Sequence, residues 1–243
     1  MLKKALLISG LSLASGLASL AQAADTIGFG GTPNQSTFRT ILGDMGGAFN
    51  YKALNPAEPQ GLVGFDVSAN LTYAEVSDEA AWLAATGENI EQIGSVGVKI
   101  SKGLPLGLDV SGFYNLVPGT DASVLGAAVS YSIEEGGLIA PAIAVRLGYT
   151  QGQGIEDFDF ETTSLDFTVS KGFAMLTPYG GVGQVYIKGT PTSTKAKALV
   201  VEEDFSETRV FAGFKLNVGM QLAVEFEKTG DIDTISARLG FGL

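Results

Sequence analysis

Asp157, Asp159 and Glu161 stand at alternate positions, and in an extended segment that spacing places three carboxylates on one side, about 7 Å apart. Such an all-oxygen set suits a hard cation such as Ca²⁺. An EF-hand loop counted from Asp157 needs Gly at its sixth position and Glu at its twelfth, where this chain has Thr162 and Thr168. The trio therefore reads as a solvated rim with weak divalent-cation binding at most, and so does the acidic run Glu202, Glu203 and Asp204. No metal site is expected. The chain has no His and no Cys, which removes the commonest general base, the commonest metal ligand and all thiolate chemistry. A Ser or Thr nucleophile would need a Lys or carboxylate base in a local motif, and none is present. The glycine-rich pieces at 28–31 and 180–183 lack the spacing of phosphate loops and read as close-packed strand ends. Neither enzyme activity nor a cofactor is expected.

A second set of charges is spread along the chain: Lys52, Asp66, Lys99, Asp109, Arg146, Asp166, Lys188, Arg209, Lys215, Glu225, Glu227 and Arg238. Each lies on the polar side of a segment whose other side is apolar. From Phe65 to Tyr73 the odd positions are Phe, Val, Ala, Leu and Tyr, while the even ones are Asp, Ser, Asn and Thr. That period of two is a strand with one apolar face. It recurs around Tyr51, Val98, Leu108, Val129, Leu147, Phe167, Val185, Phe214, Val224 and Leu239, giving eleven candidate strands.

Two architectures fit, a soluble sandwich with the apolar faces inside and a transmembrane antiparallel up-and-down β-barrel with them outside. Strand lengths near those needed for a tilted bilayer crossing favour the barrel. So do aromatic residues near the ends of apolar faces, at Tyr51, Tyr73, Tyr114, Tyr131 and Tyr149. Connections at 102–105, 136–137, 171–174 and 218–220 are short, and those at 74–92 and 189–205 are long; a barrel with short periplasmic turns and longer outer loops has this asymmetry. Bacterial barrels have even strand numbers. Twelve strands are favoured, with Ile27 and Phe29 in an added first strand. Ten follow if residues 25–44 plug the lumen, with Ser36 or Thr37 capping a short helix through Leu42, and the Phe49 segment leaves the wall. The long loop at 74–92 reads as carrying a short rim helix capped by Ser77 or Asp78, ended by Gly87 and holding the only Trp, Trp82.

Residues 1–23 have the form of a cleaved signal peptide, with Lys3 and Lys4, an apolar run and Ala21-Gln22-Ala23. The expected organisation is a signal at 1–23, an N-terminal segment at 24–44 acting as first strand or short plug, and a barrel over 45–243. A formal charge of -11 disfavours a nucleic-acid partner.

The stretches Asn55-Pro56-Ala57-Glu58-Pro59, Lys102-Gly103-Leu104-Pro105, Gly136-Gly137-Leu138-Ile139-Ala140-Pro141 and Ser170-Lys171-Gly172-Phe173 resemble an uncharacterised family of Gram-negative outer-membrane β-barrel proteins. The resemblance covers most of the chain after the signal. It implies a place in the bacterial outer membrane, with lipid and the barrel-assembly machinery as partners, and brings no catalytic residues. The chain closes on Phe241-Gly242-Leu243, a departure from the terminal aromatic residue common in such barrels. The function expected is a channel or transport pore for small solutes; the alternative is a non-conducting barrel serving structure or surface interaction. In a narrow barrel the inner-face charges pair with one another. In a wide one they line a watery path.

Overall fold

A computed structural model describes residues 27–242, so the expected signal peptide lies outside the described residues. Ten antiparallel strands follow one another round a closed barrel: β1 Phe65–Glu75, β2 Gln92–Leu104, β3 Leu108–Leu116, β4 Ser123–Glu135, β5 Ala142–Gln153, β6 Phe158–Ser170, β7 Leu176–Pro191, β8 Glu203–Asn217, β9 Gln221–Thr229 and β10 Ile232–Gly242. The seam is the pairing of β1 with β10, where Asn70 faces Arg238. Ten is the smaller of the two counts the sequence allows. The favoured twelve is not formed, because residues 35–49 are helical and the alternation at Phe49, Tyr51 and Ala53 belongs to a segment inside the lumen.

The alternation puts apolar side chains outside. Val98, Ile100, Leu147, Val182, Val210 and Phe226 are each more than half exposed, whereas Asp66, Ser68, Asn70 and Thr72 are buried inside. A soluble sandwich would show the reverse, and so large an apolar girdle suits lipid rather than water. Among the described residues no helix is long and apolar enough to cross a membrane; the crossing is made by strands. Tyr114, Tyr131 and Tyr149 are exposed on the outer face, as expected of an aromatic girdle. Tyr51 is not among them, being buried in the lumen.

One end of the barrel carries the links at 105–107, 136–141, 171–175 and 218–220, and the other carries those at 76–91, 117–122, 154–157 and 192–202. The first is the periplasmic end by the usual asymmetry. The links at 154–157 and 230–231 break the pattern, both being short at the outer end. At the three-residue β2–β3 turn, 105–107, both Leu106 and Gly107 have positive φ.

Among the described residues three helices complete the fold: α1 Gln35–Phe49, α2 Glu79–Thr86 and α3 Thr194–Leu199. α2 is the expected rim helix, with Asp78 accepting from the Ala81 amide and Gly87 in the left-handed conformation at its end. α1 is longer than expected and is capped by Asn34, whose carboxamide oxygen accepts from the Thr37 amide, rather than by Ser36 or Thr37.

Candidate functional site

The lumen is filled by the chain that precedes β1. Residues 27–34 lie across the outer mouth, α1 descends inside the wall, and residues 50–64 run on as non-helical chain, with a turn at 61–64, to the periplasmic start of β1. Glu156 donates its amide to the Ile27 carbonyl at 3.0 Å, and Gly31 and Thr32 donate theirs to Ala85 and Ala84 of α2 at 2.8 and 3.0 Å. A Cβ on Gly30 would sit 1.9 Å from the Thr86 carbonyl oxygen, so this strap needs glycine to reach the helix.

In the outer half of the lumen the contacts are apolar. Phe38 of α1 meets Phe29 and Phe158 edge-on, with ring centroids 5.7 and 5.3 Å away. Gly46 and Gly47 leave room for Ile187 of β7 and Ile232 of β10; a Cβ there would come within 2.3 and 1.9 Å of those side chains. Asp44 is the buried polar exception. Its Oδ2 accepts from the Ser77 amide at 3.1 Å and from Trp82 Nε1 at 2.8 Å, tying α1 to the 76–91 loop. Burial pushes the Asp44 carboxyl above its ordinary range, against the lowering effect of those two donors.

In the periplasmic half the non-helical segment has no strand neighbour for its backbone. The wall supplies donors instead. Arg209 donates to the Tyr51 carbonyl at 3.1 Å, Lys99 to the carbonyls of Lys52 and Ala53, and Arg238 to the Leu54 carbonyl at 3.1 Å. Ser170 and Ser132 take the amide and carbonyl of Ala57, each at 2.9 Å, and Asp109 accepts the Gln60 amide at 3.1 Å. The same cations pair with carboxylates. Arg209 lies 2.9 Å from Asp166, 3.2 Å from Glu225 and 2.8 Å from Glu227; Lys52 also meets Glu227, and Arg238 meets Asp66.

Eleven of the twelve charges read from the sequence therefore lie on the lumen side or on the segment within it. Lys52, Asp66, Lys99, Arg146, Asp166, Arg209, Glu225, Glu227 and Arg238 are buried, and Asp109 and Lys215 line a periplasmic-side cavity with Arg146. Lys188 is the correction. In β7 the inward residues are Gly183, Val185 and Ile187, set by the pairing of Gly183 with Arg209, so Lys188 points outward and pairs at 3.7 Å with Glu202. The inward side there meets α1, which needs apolar residues. Sequence reasoning also missed that Ser132, Ser170 and Tyr51 belong to this network, because small polar residues on an inner face carry no separate mark.

The acidic trio does not act together. Asp157 is turned into the mouth, accepting from the Phe29 amide at 2.6 Å and from the Ser193 hydroxyl at 2.5 Å, while Glu161 accepts from Tyr149 at 2.7 Å and Asp159 is exposed. Among the described residues no three metal-type side chains converge.

Three voids lie along the lumen axis. A vestibule of about 650 Å³ opens at the outer mouth, and a cavity of about 120 Å³ lies near the periplasmic end. Between them, beside Phe49, Asn50 and Lys52, the free space is about 10 Å³.

No family model matches the sequence, and no curated protein matches it either. Solved structures of outer-membrane barrels do. The translocator domain of the autotransporter NalP from Neisseria meningitidis is 10% identical with a TM-score of 0.41, over 75% of this chain and 88% of that one. The KdgM porin in complex with disordered oligogalacturonate is 9% identical with a TM-score of 0.37, over 74% and 98%. The outer membrane protein Omp33 of Acinetobacter baumannii is 9% identical with a TM-score of 0.30, over 74% and 99%. This chain, a closed antiparallel barrel with its apolar girdle outside, has the architecture of a transmembrane β-barrel.

Proposed function

We propose that the protein is a barrel closed at rest by its own N-terminal segment, acting through its outer surface rather than as an open pore or a catalyst. One observation carries this reading: the mid-lumen void beside the segment is about 10 Å³, room for a single water at most, which supports a lumen closed to solutes while the segment is in place. The ion pairs around Arg209 are those of a narrow lumen, in which charges satisfy one another instead of lining a watery path. Contact with lipid along the girdle and delivery by the barrel-assembly machinery belong to the same proposal.

Passage of small solutes is the second reading, and a lane of polar residues favours it. Asn70, Thr72, Ser95 and Asn115 line the narrowing on the side away from the apolar packing of α1, leading from the vestibule towards Lys99 and Ser101. Displacement of the segment would open this lane.

Planar-bilayer recording of the refolded protein, beside a variant lacking residues 27–59, tests the proposal. The intact chain should give no conductance steps and the truncated chain should give them. Steady steps from the intact chain would overturn the closed-barrel reading in favour of a channel.

A further inference from the structure

The outer vestibule is too large and too one-sided in charge to be a packing defect. Its volume of about 650 Å³ lies within the usual range for small-molecule sites, about 300–1,000 Å³. Its apolar surface comes from Phe49 at the end of α1, Trp82 of α2, and Ile90, Ile93 and Val117 of the neighbouring loops and strand. Its charged residues are Glu88, Glu91, Glu156 and Asp157, with no Lys or Arg in the lining. Asp157 is already engaged by the Phe29 amide and Ser193. That leaves three exposed glutamates over an apolar interior. Lys195 of α3, which reaches the strap, is held by the Phe29 carbonyl.

We propose that this vestibule binds a small organic cation with an apolar body, an aryl- or alkylammonium, its body over Phe49 and Trp82 and its charge among Glu88, Glu91 and Glu156. A metal ion is the poorer occupant, because the carboxylates are spread over the walls and no three metal-type ligands converge among the described residues. A dispersed ammonium charge needs no such convergence; it is held by the field of several carboxylates around a cavity with low-dielectric walls. An anion of the same shape meets only repulsion, and a neutral analogue has the apolar contact alone. Trp82 is the only tryptophan, so occupancy has a built-in optical readout. The site goes beyond the closed-barrel reading and does not depend on it, since the vestibule lies outside the narrowing.

The test is titration of the refolded full chain in zwitterionic detergent, following Trp82 fluorescence and heat by calorimetry. Three probes share a ring: benzyltrimethylammonium, benzyl alcohol and benzenesulfonate. Saturable binding is expected for the ammonium, weaker binding for the alcohol and none for the sulfonate. Glu88→Gln/Glu91→Gln/Glu156→Gln should weaken the ammonium by about tenfold while leaving the alcohol unchanged, and high salt should act in the same direction. These three side chains are exposed, so the variant should keep the unheated gel mobility of the closed barrel; Glu156→Gln alone is the milder version. Equal binding of all three probes, no ammonium binding at millimolar concentration, or a triple variant with unchanged affinity would each overturn the assignment. Conductance measured without probe keeps the two readings apart: a conducting protein that binds the ammonium sinks only the closed-barrel reading, and a silent one that ignores it sinks only this one.

Discussion

The two halves of the lumen are sealed by the same stretch of chain in different ways. Towards the outside the segment is a helix, its backbone already hydrogen-bonded, so the wall offers it Phe158, Ile187 and Ile232 and the contact is apolar. Towards the periplasm it is not helical, and its carbonyls at Tyr51, Lys52, Ala53 and Leu54 need donors that no adjacent strand provides. Arg209, Lys99 and Arg238 are those donors; Asp166, Glu225 and Glu227 balance the charge of Arg209, and Asp66 that of Arg238. The secondary structure of the plug thus decides the chemistry of the wall opposite it. A charged inner face need not mean a watery pore.

The sharpest way to break this contrast is to remove the central cation. Arg209→Leu strands the buried carboxylates of Asp166 and Glu225 and the Tyr51 carbonyl, leaves Glu227 to Lys52, and should destabilise the barrel by about 3–5 kcal/mol, read as a lower unfolding midpoint in urea. If the loss is under about 1 kcal/mol, the charged half is not what holds the segment. Overpacking probes the apolar half. Gly47→Ala drives a methyl against the branched, stiff Ile232 side chain and should cost about 1–3 kcal/mol. Gly46→Ala meets only the movable end of Ile187 and should cost less. Equal effects at the two positions would mean that the helix shifts freely in the lumen.

A smaller effect is expected at the polar exception within the apolar half. Asp44 binds its proton more tightly in the folded chain than in the unfolded one, so its contribution is fully present below the unfolded value, near 3.8, and is lost as pH rises through the raised folded value. Asp44→Asn keeps an acceptor for Trp82 and removes the buried charge, so the pH dependence of Trp82 fluorescence above 3.8 should flatten. An unchanged profile would place the titration elsewhere. The least effect belongs to Lys188→Gln, which touches only an outward rim pair and should change stability by about 0–1 kcal/mol. A loss comparable to that of Arg209→Leu would return Lys188 to the lumen.

The wall was largely legible in the sequence, because strands buried on one face only must alternate: the even residues of β1 are all buried, as are Ser95, Lys99, Ser101 and Gly103 of β2. The outward β7 residues were not. Val182 and Tyr186 outside and Val185 and Ile187 inside are all apolar, so period two has no sign there, and only the register against β8 decides. The plug was legible in kind but not in extent. Gly43, Gly46 and Gly47 are poor helix formers and suggested an end at Leu42, whereas packing against Ile187 and Ile232 selects small residues and overrides propensity. Tyr51 looked like a girdle residue because it alternates with Asn50 and Lys52, yet all three are buried, which is the mark of a chain enclosed on every side.

Arg238 has a consequence for how the molecule comes together. From β10 it reaches Asp66 on β1 across the seam, and with its other nitrogen it holds the Leu54 carbonyl of the enclosed chain. The bond that locks the first strand to the last is therefore also the clasp on the filling. A cylinder completed empty would then have to admit a helix bearing Phe38, Leu42 and Met45 through one open end, past side chains that leave it no slack. Zipping the seam last would avoid that passage: the sheet would wrap its own leading segment as a mould wraps a core, and enclosure and closure would be a single event.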